Sequence, residues 1–168
     1  MFVRFLACSV AVTGIAVAGP FAAAGPAGAV VARCTSIGAT NMTIIDGINA
    51  CGAESDGTGN ATAYGDGGIG YAKAQRGALA IGVGLDGGVG ASQGVGGIPA
   101  AVGIGPGSVA IASVASGALS LALALNNSQA LVADADQGVI CQGPSALAWN
   151  AQAGRFCVAT PVGLWSYK

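Results

Sequence analysis

A glycine returns every ten residues through most of this chain, at Gly47, Gly57, Gly67, Gly77, Gly87, Gly97, Gly107 and Gly117, and Asn127 takes the next position. The residue before it is Asp46, Asp56, Asp66, Arg76, Asp86, Gly96, Pro106, Ser116 and then Asn126. Asp-Gly, Pro-Gly, Ser-Gly and Asn-Asn turn a chain, because Gly and Asn tolerate positive φ while Asp, Asn and Ser bond nearby backbone. A period this short holds one brief run and one turn, which restricts the fold to a repeat architecture. It points to no reaction.

The runs between the turns alternate with period two. Leu79, Ile81, Val83 and Leu85 are odd, and Ala78, Ala80, Gly82 and Gly84 are even; Val109 and Ile111, then Leu119, Leu121, Leu123 and Leu125, keep the odd parity. This is strand periodicity, and four leucines spaced by two would wrap around a helix. Ile98, Val102 and Ile104 are out of step. An antiparallel meander would need loops of different lengths to keep this parity. A parallel solenoid with two decads per coil keeps it automatically, needs one bulge or shift for the even decad, and stacks like corners on like. The expected fold is therefore an all-β, short-repeat parallel β-solenoid or β-roll, with the antiparallel meander as the alternative. Gly87 and Gly117 are expected at positive-φ corners, and Ala118 on a strand that welcomes a β-branched residue.

Small residues must build the core. The 168 residues include 30 glycines, are 53% apolar and only 8% charged, and most of the apolar share is alanine and valine. A formal net charge of −1 gives no electrostatic attraction for nucleic acid. Histidine is absent, which removes the commonest general base and the commonest metal ligand together.

Residues 1–29 read as an export signal. Arg4 precedes an apolar stretch from Phe5 to Val17, Pro20, Gly25 and Pro26 break any helix, and Ala27-Gly28-Ala29 offers an A-x-A cleavage site. Cys8 would leave with it. The remaining chain, 30–168, reads as one domain: an N-terminal cap over 30–56, decad repeats over 57–140 and an aromatic C-terminal cap over 141–168. No integral membrane span is expected after cleavage, and the location is secreted or cell-envelope.

Cys34, Cys51, Cys141 and Cys157 remain, an even number that in an exported chain implies disulfides. Three pairings exist; proximity favours Cys34–Cys51 and Cys141–Cys157, one on each side of the array. Zinc has no support from a C-x-x-C pair or a histidine.

Gly77-Ala78-Leu79-Ala80-Ile81-Gly82 and Gly107-Ser108-Val109-Ala110-Ile111-Ala112 resemble the head repeats of trimeric autotransporter adhesins. That resemblance implies a parallel β-roll that binds host surfaces. With its Cys141-Gln142-Gly143 and its Trp165 ending, the chain also resembles small exported actinobacterial proteins grouped as a family of unknown function, which implies secretion.

Trp149, Phe156, Trp165 and Tyr167 lie together in the last segment, where Ala146 to Trp149 and Phe156 to Val158 can pair as a long hairpin. They are expected to cap the open edge of the array, or to form a binding patch for a glycan, lipid or protein. Gly82-Val83-Gly84-Leu85-Asp86-Gly87 matches G-x-G-x-x-G, but no helix or βαβ unit surrounds it, so it marks no dinucleotide site. Asp46, Asp56, Asp66 and Asp86 read as turn formers, with a calcium ladder as the rival if the corners stack. Asp134 and Asp136 have no partner for hydrolysis, and the serines have only Lys73 and Lys168 as bases. The sequence thus predicts a structural or adhesive protein without catalytic site, cofactor or metal. Its partner is unknown, with self-association and a cell-surface ligand as the open choices.

Overall fold

A computed structural model describes residues 31–115, 117–134 and 138–167. The expected export signal, Ser116, Asp136 and Lys168 lie outside the described residues, as do positions 135 and 137. Fifteen strands and no α-helix occupy the described residues. Near the N-terminus these are β1 (Ala32–Ile37), β2 (Asn41–Asp46) and β3 (Asn49–Ser55). The coils follow as β4 (Asn60–Asp66), β5 (Ile69–Gln75), β6 (Leu79–Leu85), β7 (Val89–Val95), β8 (Ile98–Ile104), β9 (Val109–Val114), β10 (Leu119–Leu125) and β11 (Gln129–Val132). The last four are β12 (Val139–Gln142), β13 (Ala146–Asn150), β14 (Arg155–Thr160) and β15 (Gly163–Tyr167).

Successive decads go to opposite sheets. The long sheet runs β1-β4-β6-β8-β10-β13-β14-β15, and the short sheet β12-β11-β9-β7-β5-β3-β2. In the short sheet Ala50, Ile69, Val89, Val109 and Gln129 stack in register, so each coil takes 19 or 20 residues, two decads. This is the parallel solenoid, about four turns long. The meander survives only at the ends, where β1–β4, β2–β3, β11–β12 and the series β10–β13–β14–β15 are antiparallel.

The even decad needs no bulge. A two-residue corner, Gly96-Gly97, precedes β8 and a four-residue corner, 105–108, follows it. The short corner slips the parity by one and the long one restores it.

Every decad glycine from Gly47 to Gly117 has positive φ, with Gly87 at 81° and Gly117 at 54°, and Asn127 follows at 58°. Corners stack as the period requires: Asp86 N donates to Asp66 O at 2.9 Å, and Asn127 N to Pro106 O at 3.0 Å. Ala118 departs from expectation. It is a buried corner residue ahead of β10, so valine there would test packing and not strand propensity.

The interior is built of small residues, and, apart from the buried Val114 and Val132, the Leu, Ile and Val side chains of the coils point out. On β6 the inward positions are Ala80, Gly82 and Gly84, while Leu79, Ile81, Val83 and Leu85 face outward. The sheets are in near contact. A β-carbon on Gly82 would stand 1.9 Å from Tyr71 O across the interior, and one on Gly90 2.0 Å from Val83 O. Sheets normally pack about 10 Å apart; here Cys34–Cys51 and Cys141–Cys157 join them with Cα–Cα distances of 5.7 and 5.9 Å. At both ends alanine and cysteine fill the interior, joined by Val132 at the C-terminal one. Ser92 and Ser120 turn hydroxyls inward with no hydrogen-bond partner.

Both disulfides follow the proximity pairing. Each links a strand of one sheet to a strand of the other: β1 to β3 at one end, β12 to β14 at the other. In the chain-entropy description, loops of this size stabilise by about 3 kcal/mol each.

Candidate functional site

Period-two alternation and parallel stacking together line up the outward side chains of the long sheet in rows. One row is Ile81, Ala100, Leu121, Trp149, Phe156 and Tyr167. The next is Val83, Val102, Leu123, Leu147, Val158 and Trp165. Leu85, Ile104 and Leu125 flank them on one side, and Leu79, Ile98 and Leu119 on the other. From β6 to β15 no charged residue enters this face. Thr160, at the end of β14, is its one outward hydroxyl besides that of Tyr167, and polar outward residues become frequent only at β4, with Asn60, Thr62 and Asp66.

The four aromatic residues singled out in the sequence share this face. Trp149 pairs with Phe156 and Phe156 with Tyr167 across neighbouring strands, and Trp165 pairs with Val158. The Phe156 and Tyr167 rings stack with centroids 5.9 Å apart. The expected hairpin is present as β13–β14, turned by 151–154. Asn150 holds that turn, its Oδ1 accepting from Gln152 N and Ala153 N, each at 3.1 Å. The segment extends one sheet instead of covering both edges: β13, β14 and β15 all join the long sheet, and β12 ends the short one.

The outer face of the short sheet is mixed. Lys73 Nζ and Glu54 Oε2 are 3.0 Å apart, and hydrogen bonds from Lys73 and Tyr71 lower the Glu54 pKa. Partial burial, with Glu54 beside it, pushes the Tyr71 hydroxyl up to about 12. Lys73 therefore serves an ion pair.

The aspartates are divided among corners. Asp66 and Asp86 share one column, stacked with Pro106 and Asn126, whereas Asp56 stands in the opposite column beside Arg76. Asp46 ends the β2–β3 hairpin. They form no single ladder, and no metal-holding group of three His, Cys, Asp or Glu exists among the described residues. The G-x-G-x-x-G stretch is β6 and its corner. Asp134 is exposed.

Sequence reasoning missed the direction of the large apolar residues. The signal was present: a core of alanine and glycine leaves only the outside for leucine and isoleucine.

Among the described residues no helix is long and apolar enough to cross a membrane. Two disulfides are consistent with an extracytoplasmic location. No curated protein and no solved structure matches the chain. A family model does match, over residues 1–160, and the chain belongs to that family of unknown function, DUF6764.

Proposed function

We propose that this is a structural or adhesive protein of the cell envelope or the extracellular space, exported by its N-terminal signal. It works through the outer face of the long sheet and not through a catalytic site. The observation that carries this reading is the uncharged, almost wholly apolar face from β6 to β15. Six strands spaced about 4.8 Å apart, each about 20 Å long, give roughly 600 Å² of flat surface, at the upper limit of what monomers leave bare. Such a face adheres to an apolar surface by area and not by a shaped pocket.

A second reading rests on the aromatic end alone: Trp149, Phe156, Trp165 and Tyr167 recognise a glycan, lipid or protein as a local patch. The two separate in one experiment. Adsorption of the oxidised mature protein to alkyl-coated beads is compared for wild type, Leu121→Lys with Leu123→Lys, and Trp149→Ala with Trp165→Ala. Loss of adsorption in the leucine pair and partial loss in the tryptophan pair are expected from the extended face. Full loss in the tryptophan pair with none in the leucine pair selects the patch, and unchanged adsorption in both removes the proposal. Circular dichroism melts establish that each variant is folded.

A further inference from the structure

We propose that the C-terminal end of the solenoid is a seat for one extended peptide strand, which adds to the free edge of β12 and completes the short sheet. The strands of the two sheets interleave: β4 packs between β3 and β5, β6 between β5 and β7, β10 between β9 and β11, and β13 between β11 and β12. Continuing this order calls for a strand beyond β12, lying across β14 and β15. Among the described strands none takes that place. The space is a cleft of about 640 Å³, with Gly138 to Gln142 along one side and the inward faces of Cys157, Leu164 and Ser166 along the other.

The cleft selects its occupant. Among the described residues no strand lies beside the outer edge of β12, and backbone groups on a free edge accept a strand of another chain. β12 is four residues long, so a guest of about five residues matches it. Leu164 faces the cleft with 61% of its surface exposed, so small apolar side chains at alternate guest positions would cover it. Arg155 marks one end, its Nη1 3.0 Å from where a β-carbon of Gly138 would stand. No acid among the described residues forms an ion pair with it. All strand pairs at this end are antiparallel, and an antiparallel guest brings its C-terminal end to Gly138 and Arg155. The guest is thus an extended segment of another protein, small and apolar at alternate positions, with a carboxylate at its C-terminal end. A second copy stacked head to tail does not fit. Its β2 would have to enter the seat, and its β1, packed against β2 and β3, would then occupy the position of β15.

The test titrates the acetylated pentapeptide Ala-Val-Ala-Val-Asp, with a free C-terminus, into ¹⁵N-labelled oxidised mature protein. Saturable shifts and slowed hydrogen exchange are expected at the β12 amides. N-methylation of alternate peptide nitrogens should abolish them, and Arg155→Gln should weaken binding about tenfold, as loss of a charge-assisted hydrogen bond does. Leu164→Lys, on an exposed position, should block the seat without lowering the melting temperature. The proposal is overturned by three results: no saturable shift at β12 at millimolar peptide, shifts indifferent to both N-methylation and Arg155→Gln, or protection of β12 that grows with protein concentration in the absence of peptide. The last would make a second copy the occupant.

Discussion

The two sheets share corners, coil length and an interior of alanine, glycine and serine, yet their outer faces differ. The long sheet presents Leu, Ile, Val and four aromatic residues without a charge from β6 onward, whereas the short sheet presents Tyr71, Lys73, Gln75, Gln93, Ser113 and Gln129 among its apolar residues. Cross-strand apolar pairs contribute a few tenths of a kcal/mol to about 1 kcal/mol each, so they support the sheet. The short sheet stacks equally regular coils without an all-apolar face. Stability of the coil therefore does not demand that face, and its presence on one side alone favours the proposed role in adhesion.

If the sheets differ only outside, the interior must be equally unforgiving on both. Gly82→Ala in the long sheet and Gly90→Ala in the short one should each cost more than about 3 kcal/mol, beyond ordinary overpacking, because the added carbon meets backbone and not a movable side chain. Ala100→Val, on the outer face of the long sheet, should cost almost nothing. Urea midpoints of the oxidised proteins check this. A tolerant Gly90→Ala beside an intolerant Gly82→Ala would show that the sheets differ inside as well.

The period, the turn chemistry and the parity were legible because each is a local property of Gly, Asn, Asp and alternating apolar residues. The disulfides were legible because Cys34 and Cys51, like Cys141 and Cys157, lie close in the chain. What the sequence did not disclose is relational. Glycine means two things here, a positive-φ corner at Gly87 and a backbone-to-backbone contact at Gly82, and only the opposing sheet separates them. Likewise Trp149 and Tyr167 become row neighbours of Leu121 only through antiparallel pairings that no decad encodes. The cleft beside β12 depends on β13, β14 and β15 all joining the long sheet, which local pattern cannot decide.

Corners connect the two faces and should respond to conformation, not to packing. Gly117 has φ of 54° and no atom within 4 Å of a β-carbon placed on it. Gly117→Val should therefore lower stability by about 1 kcal/mol or slightly more, all of it from backbone strain, while Gly117→Asn should be nearly neutral, as Asn127 already stands in the equivalent corner at 58°. Equal urea midpoints for the two variants would mean that the ten-residue period does not set the backbone at this corner.

The smallest effect separates the faces by pH. From β6 to β14 the outer face of the long sheet carries no carboxylate, so acid should act through the short sheet and the corners beside it. Asp56 is the group to watch. Its Oδ2 accepts from Arg76 N at 2.7 Å, and its Oδ1 accepts from Thr58 N at 2.9 Å, Thr58 Oγ1 at 2.8 Å and Gly59 N at 3.2 Å. These bonds, led by that from Arg76, hold its carboxyl well below the usual carboxylate range. Because the folded-state value lies below the unfolded one, the contribution is complete above about pH 4 and fades as pH falls further toward the folded value. Glu54, lowered mainly by Lys73, acts in the same direction. The melting temperature of the wild type should hold from pH 7 to pH 5 and fall by a few degrees toward pH 2.5. Asp56→Asn should start lower at pH 7, because an amide nitrogen cannot accept from Arg76 N, and should decline less on acidification. Parallel declines in the two proteins would place the acid-sensitive group elsewhere and remove this distinction between the faces.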